Sequence, residues 1–406
     1  MCGEGIFLGR VDFYDYRTIC LVFACMTYAV FGSPTPDNIG VAEVVIGILL
    51  ALSIGAGRAH DVFIKSDKTK FWKSSGQVFL IYGMSIPILA GAVYGNGFSA
   101  MLRDIIPFLF LFLPMFLLPL LRARPYYFRS ILFAILMIGL LFALRSLMMR
   151  IYDRCLFACP DELLYLENMP TVLFACLLII GVAMSFIMRG VTMRNIAIFS
   201  ALIMVSLIPI VAMVTTLQRA SLGAVALYVV ILQCYFFYKS PAKAALLFLI
   251  GTLFVFIINI SFSSVFYDLL SKTQNVGLNM RPQEFVAIWD IVSGDPLAFL
   301  FGIGWGGQFY SPAVGGLSVN FTHNFFTTLL LKTGIIGVVA CIAYIVGLLE
   351  RLLRVIFKNP ILGLALAAPI LIDLTLYASF KSLDFGLVLL LISGSLVYLR
   401  DYNNES

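Results

Sequence analysis

Twelve apolar runs, each close to the length that crosses a bilayer, set the limits on what this chain can become. A spanning helix needs about 20 mainly apolar residues. The runs fall at roughly 17–32, 40–57, 77–95, 104–121, 130–149, 171–188, 195–216, 221–238, 244–263, 321–349, 360–379 and 385–400. In hydrocarbon each backbone N–H and C=O must be satisfied within the segment, which for such runs means helices. The expectation is an all-α polytopic integral membrane protein with about 12 transmembrane helices. Composition excludes a water-soluble domain. Of the 406 residues 61% are hydrophobic and 12% charged, with a mean hydropathy of +1.02, against about 25% charged in soluble domains. No secretory signal peptide is evident at 1–16, where acids accompany Arg10 and the first apolar run leads on into further spans.

Lys and Arg fix the orientation, because they collect in cytoplasmic loops. Alternate connections hold Arg10 and Arg17; Arg58, Lys65, Lys68, Lys70 and Lys73; Arg122, Arg124 and Arg129; Arg189 and Arg194; Lys239 and Lys243; Arg351, Arg354 and Lys358; and Arg400. The net charge of +6 is therefore a signal of sidedness and not a nucleic-acid footprint. Both termini are expected inside and the long 263–320 segment outside. The opposite face carries Asp37, Asp153, Asp161, Glu162, Glu167, Asp268, Glu284, Asp290 and Asp295, read as solvated loop charges. Cysteines such as Cys20, Cys25, Cys176, Cys234 and Cys341 lie in apolar runs, where they act as small hydrophobes. Cys155 and Cys159 stand outside the membrane, as a local disulfide or as two thiols. No internal repeat points to an inverted-repeat transporter. The chain divides into N-terminal helices (1–194), a central part (195–350) containing the external loop, and C-terminal helices (351–406).

Candidate chemistry gathers on the outer side. Arg219, in "QRASLG" between two apolar runs, is either an anion-binding group held at the bilayer surface or an arginine snorkelling to headgroups. Arg281, in "NMRPQEFVAIWDIV", opens an amphipathic helix with Pro282 in its first turn. Phe285, Ile288 and Trp289 give that helix an apolar face suited to the membrane surface. The helix dipole disfavours an arginine there, so the choice is an anion site or a salt bridge to Glu284. His323 and Asn324 begin the tenth run as "THNFFTTLLLKTGIIG". The imidazole can exchange a proton near neutral pH, with Thr322 or Asn324 to orient it, or it is a plain interfacial histidine. His60 reads as a solvated residue of a basic loop. The glycines of "FGIGWGG" either offer backbone N–H groups to a phosphate or form a plain turn. Gly334 and Gly337 read as a close-packing face. Lys332 and Asp373 are costly charges within spans.

In order along the chain, "QRASL", Arg281 with Trp289, "PLAFLFGIGWGG", and His323-Asn324 followed by Gly334 and Gly337 resemble the O-antigen ligase and polymerase superfamily. The resemblance is strongest over about 195–350. It implies a bacterial inner-membrane enzyme with both termini cytoplasmic and its site periplasmic, in a loop carrying short amphipathic helices. The implied reaction is metal-independent glycosyl transfer in surface-polysaccharide biosynthesis, with no cofactor. The donor would be a glycan on undecaprenyl pyrophosphate; the acceptor would be another glycan for a polymerase or lipid A–core for a ligase. Arg219 and Arg281 would hold the pyrophosphate with Asn324, and His323 would orient or deprotonate the acceptor hydroxyl. A flippase and a chain-length regulator would be partners. Where such proteins carry an acid just before the first glycine of the last motif, this chain has Lys332. No second histidine precedes His323. Both departures incline the reading to a polymerase. The competing class is a transporter, with Lys332 and Asp373 on its pathway.

Overall fold

A computed structural model of the chain describes residues 13–33, 40–65, 70–152, 163–261, 280–377 and 381–405. Cys155 and Cys159 lie outside them. Among the described residues eight helical segments are long and apolar enough to cross a membrane. They are Phe71–Val93, Phe98–Ala123, Tyr127–Tyr152, Pro170–Arg189, Met193–Thr215, Arg219–Lys239, Phe325–Lys358 and Leu383–Asp401. A ninth is reached if Val41–Ile54 and Ala56–Ile64, bent by 70°, form one broken span. The remaining expected runs are helical too, at Phe13–Phe31 and in the shorter apolar helices Pro241–Thr252 and Pro360–Thr375.

Apolar faces decide which helices lie inside. Pro170–Arg189 and Leu383–Asp401 are the most enclosed, whereas Met193–Thr215 and Arg219–Lys239 are mostly open at the surface of the bundle. Phe325–Lys358 packs along Phe71–Gly83. Phe79 and Tyr344 meet across this contact at 6.4 Å, and rings of the neighbouring segment pack on both: Phe79 meets Phe108 at 5.2 Å and Phe112 at 5.5 Å, and Phe112 stacks on Tyr344 at 5.3 Å.

The external segment is not wholly helical. Helices Arg281–Ser293 and Pro296–Phe301 are followed by an antiparallel hairpin of Phe309–Ser311 with Leu317–Val319. This corrects the all-α expectation locally. A small second core of Ile288, Val292, Phe309, Leu330 and Leu331 ties the first helix and the hairpin to the start of Phe325–Lys358. Phe285 and Trp289 stack on each other and stay partly exposed.

Helix Phe325–Lys358 is broken at Gly334, whose φ of 63° and ψ of −172° are not helical. The 24 residues beyond the break, rising about 1.5 Å each, suffice to cross a hydrocarbon core of about 30 Å. The shorter leg before it, Phe325–Thr333, is thereby free to serve the outer site. Carbonyls beside the break accept from other parts of the chain: Leu331 from Ile303 N–H at 2.8 Å, Lys332 from Gly304 N–H at 3.1 Å, and Thr333 from the Tyr82 hydroxyl at 2.7 Å. A second interruption, between Phe71–Gly83 and Ile86–Val93, accepts Trp305 in the same way. Its backbone N–H reaches Pro87 O at 3.0 Å and its indole reaches Gly83 O at 2.7 Å.

The "FGIGWGG" stretch is thus a wedge between two broken helices. Each N–H from Gly302 to Gly307 already has a protein acceptor, the one on Gly306 being the Asp104 carboxylate at 2.8 Å. That corrects the phosphate-cradle alternative, because no donor is left over. Gly334 is correspondingly a break and not simply a packing residue. A Cβ there would fall 2.5 Å from Phe301 N, and its backbone region is essentially restricted to glycine at a cost of about 1–3 kcal/mol. Gly334→Ala is expected to lower the thermal midpoint and the monodisperse fraction in detergent. An unchanged melting curve would show that the break is not required.

Candidate functional site

Three helix N-termini supply the site. Arg219 opens Arg219–Lys239, Arg281 opens Arg281–Ser293, and His323 with the cap residue Asn324 precedes Phe325–Lys358. Each terminus carries a partial positive charge, which suits an anion and opposes an arginine. Two cations placed there therefore fit a negative partner better than a purely structural role.

Local strain marks the same places. Among the described residues the non-glycine positions with positive φ are Leu217 at 52° and Met280 at 57°. One lies two residues before Arg219 and the other directly before Arg281. A bulky residue in the left-handed region is an outlier that surrounding structure must hold in place. Both fix how a guanidinium leaves its helix.

The charges act on one another. Burial is the main cause that draws the Arg281 pKa below its ordinary value, and Arg219 adds to the lowering, while Tyr377 and Glu284 oppose it. Tyr377 shares a hydrogen bond with Ser221 and feels both arginines. Arg219, Arg281 and Tyr377 therefore form one cluster, into which the buried Asp373 also acts through Tyr377. Arg281 Nε and the side-chain amide of Gln218 are buried with no hydrogen-bond partner among the described residues. Buried donors of this kind call for a ligand or water.

Arg281 does not consume Glu284. One turn further along the helix, Glu284 is 3% exposed and both of its oxygens are taken. Ser311 Oγ donates to Oε1 at 2.6 Å, while Oε2 accepts from His323 N–H at 3.2 Å and lies 3.0 Å from Nδ1 of the ring. Burial alone would raise this carboxyl's pKa, but the hydrogen bonds from His323 and Ser311 outweigh it and hold the pKa below the usual glutamate value. An ionised Glu284 fixes the proton on Nδ1 and leaves Nε2 as an acceptor. The side chain is 22% exposed, so the imidazole is not sealed off from a ligand.

The orienting group is therefore Glu284, not Thr322 or Asn324 as the local sequence suggests. Thr322 is fully buried and joins Thr328 Oγ1 at 3.0 Å. Asn324 caps the helix, its Oδ1 accepting from Phe326 N–H at 2.9 Å and Thr327 N–H at 3.3 Å. Its amide nitrogen is the part left for a ligand. The four expected residues thus lie around one region, joined through Glu284 and Tyr377.

Beside it sits a second charged cluster. Asp104 bridges Lys332 Nζ at 2.6 Å and Lys381 Nζ at 2.9 Å. Lys332 also donates to Gly307 O and Lys381 to Asn320 O, the latter at 3.0 Å. Phe321 links the clusters: its ring centroid is 6.3 Å from that of His323 and 5.9 Å from Lys381 Nζ. Among the described residues no group of His, Cys, Asp and Glu could hold a metal ion.

No protein-family model matches this chain, and no curated protein is significantly similar to it.

Proposed function

We propose that this chain is a membrane glycosyltransferase of the O-antigen polymerase and ligase kind. It moves an undecaprenyl-pyrophosphate-linked glycan to an acceptor sugar at the periplasmic face of a bacterial inner membrane. The carrying observation is the Glu284–His323 pair placed beside Arg281, whose charge acts with that of Arg219. His323 Nε2 takes the proton of the acceptor hydroxyl. That oxygen attacks the anomeric carbon, and the bond to the carrier breaks with its electron pair on pyrophosphate. Arg219 and Arg281 meet the departing charge, as fixed donors aimed at a developing anion do. Asn324 offers its amide N–H at the same helix end.

Twelve spans, cytoplasmic termini and an outer loop at 263–320 complete the reading. Sidedness has support in the opposite end of the bundle, where Arg122, Arg354 and Arg400 lie near enough to Arg351 to act on it. Such a cluster suits a cytoplasmic face. A transporter would need Lys332 on an open pathway; its ammonium is fully buried against Asp104, which favours the enzyme. Lys332 in place of an acid, and the single histidine of the motif, incline the activity to repeat-unit polymerisation over ligation to lipid A–core. A flippase would supply the donor and a chain-length regulator would act alongside.

Arg219→Ala and Arg281→Ala are expected to abolish long glycan chains while the protein accumulates normally. Wild-type chain lengths in both would remove the proposal. A deletion separates the two activities. Loss of a polymerase leaves lipid A–core bearing one repeat unit; loss of a ligase leaves bare core and polymer still on its carrier.

A further inference from the structure

The Asp104 cluster carries one positive charge more than it needs. Two ammonium groups face a single carboxylate, and the Asp104 oxygens are already shared among Lys332, Lys381 and Gly306 N–H. An ammonium has three N–H donors. Lys332 uses two, on Asp104 and Gly307 O, and Lys381 uses two, on Asp104 and Asn320 O. Both side chains line one small cavity of about 30 Å3, together with Thr328, Trp305, Phe108 and Phe325, room for a carboxylate but not for a sugar ring. Lys332 is fully enclosed while Lys381 is 13% exposed, so the cavity is approached past Lys381.

A surplus buried cation is costly unless an anion completes it. Its position says which molecule could bring one. Lys381 and His323 both border the Phe321 ring. Lys381 also holds the carbonyl of Asn320, three residues before His323. A sugar lying over Phe321 with one hydroxyl at His323 would bring a neighbouring substituent to Lys381. Aromatic faces next to polar handles suit such a ring.

We propose that the acceptor is an acidic sugar, and that its carboxylate is received by the third N–H of Lys381, with Lys332 behind it. Asp104 then bridges the two ammonium groups from one side and the substrate carboxylate engages Lys381 from the other, with Lys332 acting on it only through its charge. Charge-assisted hydrogen bonds of this kind are roughly twice as strong as neutral ones. The inference deepens the glycosyl-transfer reading and rests on it for the identity of the ligand as an acceptor.

The test is binding by the purified full chain in detergent, read by saturation-transfer NMR titration with methyl glucuronide and its neutral counterpart methyl glucoside. The glucuronide is expected to bind roughly tenfold tighter, a difference of one decade in Kd. Lys381→Gln should erase the preference and Lys381→Arg should keep it. Acetate should displace the glucuronide from the unaltered protein, a measurement that needs no variant to fold. Equal binding of the two glycosides, a preference that survives Lys381→Gln, or no displacement by acetate would each overturn the inference. The two proposals fail separately. Polymer made by the purified protein, together with equal binding of the glycosides, ends the acidic-acceptor inference alone. A Lys381-dependent glucuronide preference in a protein that transfers lipid-linked glycan to neither a glycan nor lipid A–core supports the anion site and ends the transfer reading.

Discussion

Asp104→Ala is expected to cost about 3–5 kcal/mol of stability, the scale for breaking a buried ion pair by removing one partner. The size follows from what is left behind. Lys332 Nζ is wholly buried and would keep only the Gly307 carbonyl, Lys381 would keep only the Asn320 carbonyl, and Gly306 N–H would lose its acceptor. Asp104 joins helix Phe98–Phe110 to helix Phe325–Lys358 and to Lys381, two residues before Leu383–Glu405. Its loss is therefore felt by three elements at once. Asp104→Asn should cost nearly as much, because the neutral amide leaves the same two charges uncompensated. Replacing the pair together, Asp104→Leu with Lys332→Met, should recover most of the loss, since apolar substitution of a whole buried pair is often neutral. Thermal unfolding in detergent distinguishes these cases. A single Asp104→Ala variant as stable as the unaltered chain would show that the cluster is solvated and not a true interior ion pair.

Glu284→Gln should lower glycan transfer by roughly 10²-fold and His323→Ala by up to about 10⁴-fold, the range that a positioned general base contributes. The glutamine keeps the size, and its one carbonyl oxygen can still accept from the His323 backbone N–H while its amide N–H turns to the Ser311 hydroxyl. What it removes is the charge that keeps the proton on Nδ1. Donor binding, which the proposed transfer gives to Arg219 and Arg281, should change little, so kcat falls while KM for the donor holds. Transfer by Glu284→Gln within about twofold of the unaltered enzyme would remove the carboxylate from the mechanism. The same pair gives a pH signature. Folding lowers the Glu284 pKa, so its stabilising contribution is complete above the ordinary glutamate value and fades as pH falls through the lowered one.

The sequence disclosed the apolar runs, because a bilayer imposes length and composition on each span separately. It also disclosed Arg219, Arg281 and His323, since charged or titratable groups at span ends are few in so apolar a chain. It could not disclose their supports. Glu284 stands 39 residues from His323 and resembles any loop carboxylate. Only the alignment of Glu284 with the buried Ile288 and Val292, four and eight residues on, hints that it points inward. Asp104 and Lys381 are 277 residues apart, and neither has a local pattern that announces the other. The break at Gly334 was hidden for another reason. The run around it is uniformly apolar, so a kinked helix and a straight one read alike, and the glycine's neighbours are on a distant loop.

The wedge formed by Gly302 to Trp305 has a consequence for traffic through the site. Its backbone is stitched to Leu331 and Lys332 on one helix and to Pro87 on another, so the outer cap cannot swing upward without unravelling both. Opening this stretch as a hinged door would break those hydrogen bonds. Under the proposed transfer, a donor with a long greasy tail would then be threaded from the flank, where Arg219–Lys239 lies mostly open at the surface of the bundle.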